Sequence, residues 1–277
     1  MARKLIDFDT KFADFMSLWL KQHKSEYRNF DEMEADMPRI YTVFLNTPAK
    51  WLQDITPGAY FTQFEDPKDL VDWLNEYCES DVSVPDLLLE QIVTVGRPCE
   101  KRLFELLKNE NSCDEAKMTA IGLLRDMEST LPKMLYINMQ LCREREDDLA
   151  DNAIESLNAM GKCVVQPILQ VIQKANVYGQ EALLDVLTQY PGNDQVLSLT
   201  LKLFTEQPAR RALLAGYLAR LGDPRALDTL VKAAAEHDCR YLTFIEIRNA
   251  IEELGGECPE REFDDDPEYD ALNALDH

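Results

Sequence analysis

RRALLAGYLARLGDPRALDTLVKAAAEHDCRYLTFIEIRNAIEELGG, residues 210–256, is the stretch from which the rest of the chain can be read. Leu213, Leu214, Tyr217, Leu218 and Leu221 recur at helical spacing. Gly222 stops that helix, because glycine enters a left-handed backbone with no Cβ to clash. Asp223 then reads as an N-cap and Pro224 as the first helical residue, where the missing N–H costs nothing. A second helix follows from Arg225, and IRNAIEELG (247–255) repeats the ending of the first. The stretch is a helical repeat.

Working outward, the same punctuation recurs. Helices end at or near Gly96, Glu128, Gly161, Gly192, Gly222 and Gly255, at intervals of 32, 33, 31, 30 and 33 residues. A fixed period in this range is what stacked helix pairs leave in a sequence. The second helix of each pair reads EKRLFELLKN, KMLYINMQLC, VVQPILQVIQK, QVLSLTLKLF and RALDTLVKAA. Pro167 is awkward in a helix starting at Val164, which moves the expected start nearer Pro167. The Glu128 unit has no turn glycine and is the weakest member.

ARRALLAGYLARLGDPRALDTLVKAA and IRNAIEELGGE resemble the short HEAT-like repeats of phycobilisome lyases and bacterial scaffold proteins. The resemblance is close over 210–256, fair over 148–172 and weak over 84–125. It implies an all-α fold: a right-handed α-solenoid of about six HEAT-like helix pairs, with second helices lining a concave face that binds proteins. Residues 84–256 form the expected solenoid, and residues 1–83 a helical cap in front of it. The same resemblance leaves an alternative open, a lyase-like or ligand-binding protein holding a hydrophobic cofactor.

Equivalent positions in a solenoid align across units, so counting from the turn anchors gives two columns. The first holds Glu105, Asn138, Gln170, Lys202 and Lys232; one turn earlier lie Lys101, Met134, Gln166, Ser198 and Asp228. Leu103, Leu135, Leu169, Leu199 and Leu230 beside them are expected to face the stack, and Arg210 and Arg211 to lie on the convex side. The candidate partner-binding ladder is therefore Lys101, Glu105, Asn138, Gln166, Gln170, Ser198, Lys202, Asp228 and Lys232. Its three lysines against two acids escape the general acidity, and suit an acidic or polar partner segment.

That acidity is pronounced: 29 basic against 51 acidic residues give a formal charge of −22. Such a charge opposes a nucleic-acid backbone or an anionic membrane surface as partner. The expected partner is another protein.

The cap region carries all three tryptophans (Trp19, Trp51, Trp73). Phe8, Phe12, Phe15, Met16, Trp19 and Leu20 mark one face of a helix to about Tyr27, and a second helix is expected over 32–45. Thr56–Pro57 and Asp66–Pro67 read as N-cap and first helical residue. The aromatic cluster is expected to be packed core. The tail from Glu257 holds nine acids and one base and is expected to be a solvated, disordered end, although Tyr269, Leu272 and Leu275 would permit one amphipathic turn.

Catalytic motifs are missing from the sequence: it has no GxGxxG, phosphate loop, HExxH or GxSxG. Glu144/Glu146 and Asp264/Asp265/Asp266 read as solvated runs. Seven cysteines without a CxxC pair fit reduced thiols, most of them core residues, and His23, His237 and His277 are too scattered for a metal cluster. The expectation is a non-enzymatic, cytoplasmic interaction or scaffold module with no cofactor or metal.

Overall fold

The computed structural model of the chain describes residues 4–263 and 266–273. Helices dominate the described residues, with no strand among them beyond a single bridge between Ala49 and Ile55. No helix among them is long and apolar enough to cross a membrane. The chain divides into two compact units, Met1–Pro132 and Lys133–His277, so the composition boundary at residue 83 falls inside the first.

The first unit runs α1 (Phe8–His23), α2 (Phe30–Ala35), α3 (Met37–Asn46), α4 (Pro57–Tyr60), α5 (Pro67–Cys78), α6 (Asp86–Val95), α7 (Arg97–Lys108) and α8 (Asp114–Asp126). The helix expected over 32–45 is split at Asp36. Pro38 is the reason: it cannot donate to the preceding turn, and it is accommodated in the first turn of α3. Asp66 caps α5 as expected, its carboxylate accepting from the N–H groups of Lys68 (2.8 Å) and Asp69 (3.4 Å). Thr56 makes no side-chain cap.

Phe61, Trp73 and Tyr77 form the aromatic core, with Phe61 and Phe64 edge-on to Trp73 at 5.1 and 5.0 Å. The Tyr77 hydroxyl accepts from the Ile6 N–H (2.9 Å) and donates to the Ile6 carbonyl (3.1 Å), pinning the N-terminal segment to α5. The expected apolar face of α1 is covered less. Phe8 is its one buried residue, Phe12 and Phe15 lean on Phe44 at 5.3 and 5.5 Å, and Leu18 stands 59% exposed.

The second unit runs α9 (Lys133–Leu141), α10 (Asp148–Ala159), α11 (Val165–Val171), α12 (Val177–Leu187), α13 (Asp194–Glu206), α14 (Arg211–Leu221), α15 (Leu227–Ala234), α16 (Tyr241–Glu253) and α17 (Pro267–Asn273). α9 packs on α10 and α12, α13 on α14, and α16 on both α14 and α15, with lesser contacts of α11 with α9 and α12, of α12 with α10 and α13, and of α17 with α16. A 3-10 turn over Gly161–Val164 leads into α11, so Pro167 falls in its first turn, where no N–H is required.

All six turn anchors have positive φ: Gly96 73°, Glu128 54°, Gly161 70°, Gly192 87°, Gly222 65° and Gly255 78°. Among the described residues only Gln53 and Asp54 share that property. The period thus marks a real backbone event. At Glu128 the Ser129 N–H reaches back to the Leu124 carbonyl at 2.9 Å; at Gly255 the Gly256 N–H reaches the Ile251 carbonyl at 2.9 Å. The two turns are alike, and at Glu128 a side chain bears the left-handed conformation that glycine takes elsewhere.

The tail departs from its expectation. Phe263 is buried against Phe244 and Tyr241, and α17 packs on α16 with Tyr269 4.9 Å from Tyr241. Its acids cap a helix end, which composition alone does not reveal. Asp264, Asp265 and Leu275 lie outside the described residues, as does the side chain of Leu272.

Candidate functional site

Every one of the nine ladder residues, Lys101, Glu105, Asn138, Gln166, Gln170, Ser198, Lys202, Asp228 and Lys232, is exposed. They stand on α7, α9, α11, α13 and α15, the helices expected to be second in each pair. The leucines beside them divide. Leu103 and Leu230 are fully buried as expected, whereas Leu135, Leu169 and Leu199 are only half-buried.

Leu169 and Leu199 explain that difference. They form part of the floor of a groove of about 650 Å³ between α11 and α13, with Ile172 and Leu203 beside them. Ser198 and Lys202 line this groove; Gln166 and Gln170 are exposed on α11 outside it. In the first unit Glu105 lines a separate groove of about 350 Å³ between α5 and α7, opposite Asp72 and Glu76, while Lys101 lies outside it.

Local charge corrects the picture of a basic ladder. The Lys202 ammonium is 4.0 Å from the Glu206 carboxylate one turn on, and Asp194 and Glu206 line the same groove. A lysine with an acid at i+4 presents little net positive charge to a partner. Asp194 is in turn paired at 2.6 Å with Arg225, which binds Asp223 at the same distance. What remains unanswered by a charge is carboxamide: Gln173, Gln180, Gln195 and Gln207 all line the groove.

α9, α10 and α12, the last of which lends Gln180 to the groove, are held together by a buried polar network that the sequence reading missed. Gln140, fully buried, donates to the Ala150 carbonyl at 2.9 Å and accepts from Arg143 at 3.1 Å. Arg143 is buried and ion-paired with Asp151, although it stands directly before the Glu144/Glu146 pair that reads as solvated. Asn176 donates to the Arg143 carbonyl (2.8 Å) and accepts from the Gly179 N–H (2.9 Å), capping α12. Gly179 has no room for a side chain: a Cβ there would sit 1.9 Å from the Gln140 carbonyl oxygen. The available signals were a glycine inside a helix and a glutamine in an apolar run.

The arginines expected on the outer face are structural. Arg210 lies over the Tyr178 ring at 5.1 Å and bonds Glu181, 8% exposed, at 3.1 Å. Burial pushes the Glu181 carboxyl above its ordinary value, against the opposing pull of Arg210 and Arg143. Arg211 is ion-paired with Glu236. Removing Arg210 would strand the buried Glu181 carboxylate and removing Arg211 would break its pair with Glu236, so neither position serves as a neutral outer-face control.

All seven cysteines are free thiols, and of them only Cys78, Cys99 and Cys239 are buried. Burial pushes the Cys78 and Cys99 thiols up to about 11, which leaves them unreactive at neutral pH. Among the described residues no His, Cys, Asp and Glu side chains converge as a metal-binding group. The sequence matches no model of a known protein family, and no curated protein matches it significantly.

Proposed function

We propose that the chain is a non-enzymatic protein-interaction or scaffold module, a right-handed α-solenoid of about six HEAT-like helix pairs that uses its second-helix face. The observation that carries this reading is the exposure of all nine ladder residues on five successive second helices, with a groove opening between two of them. Positive φ at the six periodic turns supports the repeat. A charge of −22 favours a protein over nucleic acid or anionic lipid as partner, and seven free thiols suit a reducing, cytoplasmic setting.

The test compares partner capture from native cell extract by wild type, by Lys202→Glu/Lys232→Glu and by Glu246→Lys, an exposed position on α16. Loss only in the double variant, with thermal unfolding unchanged in all three, is the expected result. Loss only in Glu246→Lys would place the contact on the other face.

A further inference from the structure

The α11–α13 groove narrows the chemistry of what can lie in it. Its floor is aliphatic, with Leu169 and Leu199 half-exposed and no aromatic ring lining it. Bases are held by stacking on aromatic side chains, so the groove lacks that means of gripping a nucleotide. A phosphate would meet a single lysine whose charge already faces Glu206. Of the acids bordering the groove, Glu206 faces Lys202, and Asp194 shares Arg225 with Asp223.

The rim offers carboxamides, and each glutamine side chain can donate and accept hydrogen bonds at once. The matching ligand carries N–H and C=O groups in alternation, which describes a polypeptide backbone. A partner α-helix would make no use of them, because its own amides are satisfied internally. An extended segment leaves them free and turns alternate side chains to one side, here the leucine floor.

We infer that this groove receives an extended, uncharged polypeptide segment, its backbone held by the amides of Gln173, Gln180, Gln195 and Gln207 and its alternate apolar side chains resting on Leu169 and Leu199. The inference rests on reading the second-helix face as a contact surface. The 13 residues of α13 span about 20 Å at roughly 1.5 Å each, room for about six extended residues.

The experiment pans a library of displayed linear 12-residue peptides on the immobilised full-length chain, then titrates the selected synthetic peptide by fluorescence anisotropy. Enriched sequences should be uncharged with apolar residues at i, i+2 and i+4. Gln195→Ala/Gln207→Ala, at positions outside the core, should weaken binding by about 10-fold, as loss of two neutral hydrogen bonds would. Leu199→Glu should abolish it, and N-methylation of alternate peptide amides should weaken it without changing a side chain. Enrichment of helical or charged sequences, or affinity indifferent to both the groove substitutions and N-methylation, would overturn the extended segment and leave the contact face standing. Failure to enrich any peptide would also overturn it, and the capture comparison would then decide the broader reading separately.

Discussion

The Asp266 carboxylate accepts a hydrogen bond from the backbone N–H of Tyr241 at 2.9 Å, so an acid in the tail caps the first turn of α16. Its other oxygen accepts from the Glu268 N–H at 2.9 Å, and Glu268 accepts from the Leu242 N–H at 3.1 Å. Free N–H groups at a helix N-terminus attract carboxylates, which gives these acids a structural task. Asp266→Ala is therefore expected to speed hydrogen exchange at the Tyr241 and Leu242 amides while leaving α9–α12 protected. Unchanged protection would show that the tail does not cap α16 in solution.

Acid should weaken two further carboxylate sites in a defined window. The Asp36 carboxyl is held at about 2 by side-chain hydrogen bonds from Arg39 and then Tyr27. Asp223 is held at about 2 by the side chain and then the backbone of Arg225. A depressed folded value means the contribution is present above the ordinary value of 3.8 and is lost as pH falls through 2. Asp223→Asn should flatten the fall in thermal midpoint across that window relative to wild type. A slope as steep as the wild type's would remove Asp223 from the account.

The turn anchors give opposed expectations for two substitutions. Gly222 has φ 65°, so Gly222→Val should cost roughly 1–2 kcal/mol or more in chemical denaturation. Gly216 lies inside α14 with nothing within 4 Å of an added Cβ, so Gly216→Ala should gain up to about 1 kcal/mol. Equal effects would mean that the turn is misplaced.

Glu128 supplies the converse case. It is exposed, with φ 54°, where a Cβ is penalised. Glu128→Gly should stabilise the chain by about 1 kcal/mol, the strain relieved exceeding the entropy that glycine adds to the unfolded state. Destabilisation would indicate that the Glu128 side chain contributes more than the turn costs.

Gly179→Ala should destabilise by roughly 1–3 kcal/mol or more, since its Cβ would meet the Gln140 carbonyl oxygen at 1.9 Å and backbone would have to move. A neutral result would mean that α9 and α12 approach less closely.

What the sequence made legible was local. Left-handed turns need glycine or an exception, so five anchors are visible as residues, and Glu128 through its interval alone. Exposure of the ladder followed from helical spacing. What stayed hidden depends on residues distant in the chain. Leu169 and Leu199 occupy the same helical positions as the buried Leu103 and Leu230, and only the gap between α11 and α13 makes them a groove floor. Arg143 and Gln140 are buried by α10 and α12, whose approach no local pattern announces. In the tail, composition spoke for solvent, and the cap on α16 spoke against it.

The central claim is that the α11–α13 groove is a contact surface, and site-specific photo-crosslinking tests it most directly. A benzophenone amino acid would replace Ser198, which lines the groove, or Glu246, exposed on α16, in the full chain irradiated in native cell extract. The account predicts a discrete crosslinked partner from position 198 that unlabelled peptide of the selected sequence displaces, and none from position 246. A partner crosslinked from position 246 but not from position 198 would contradict it.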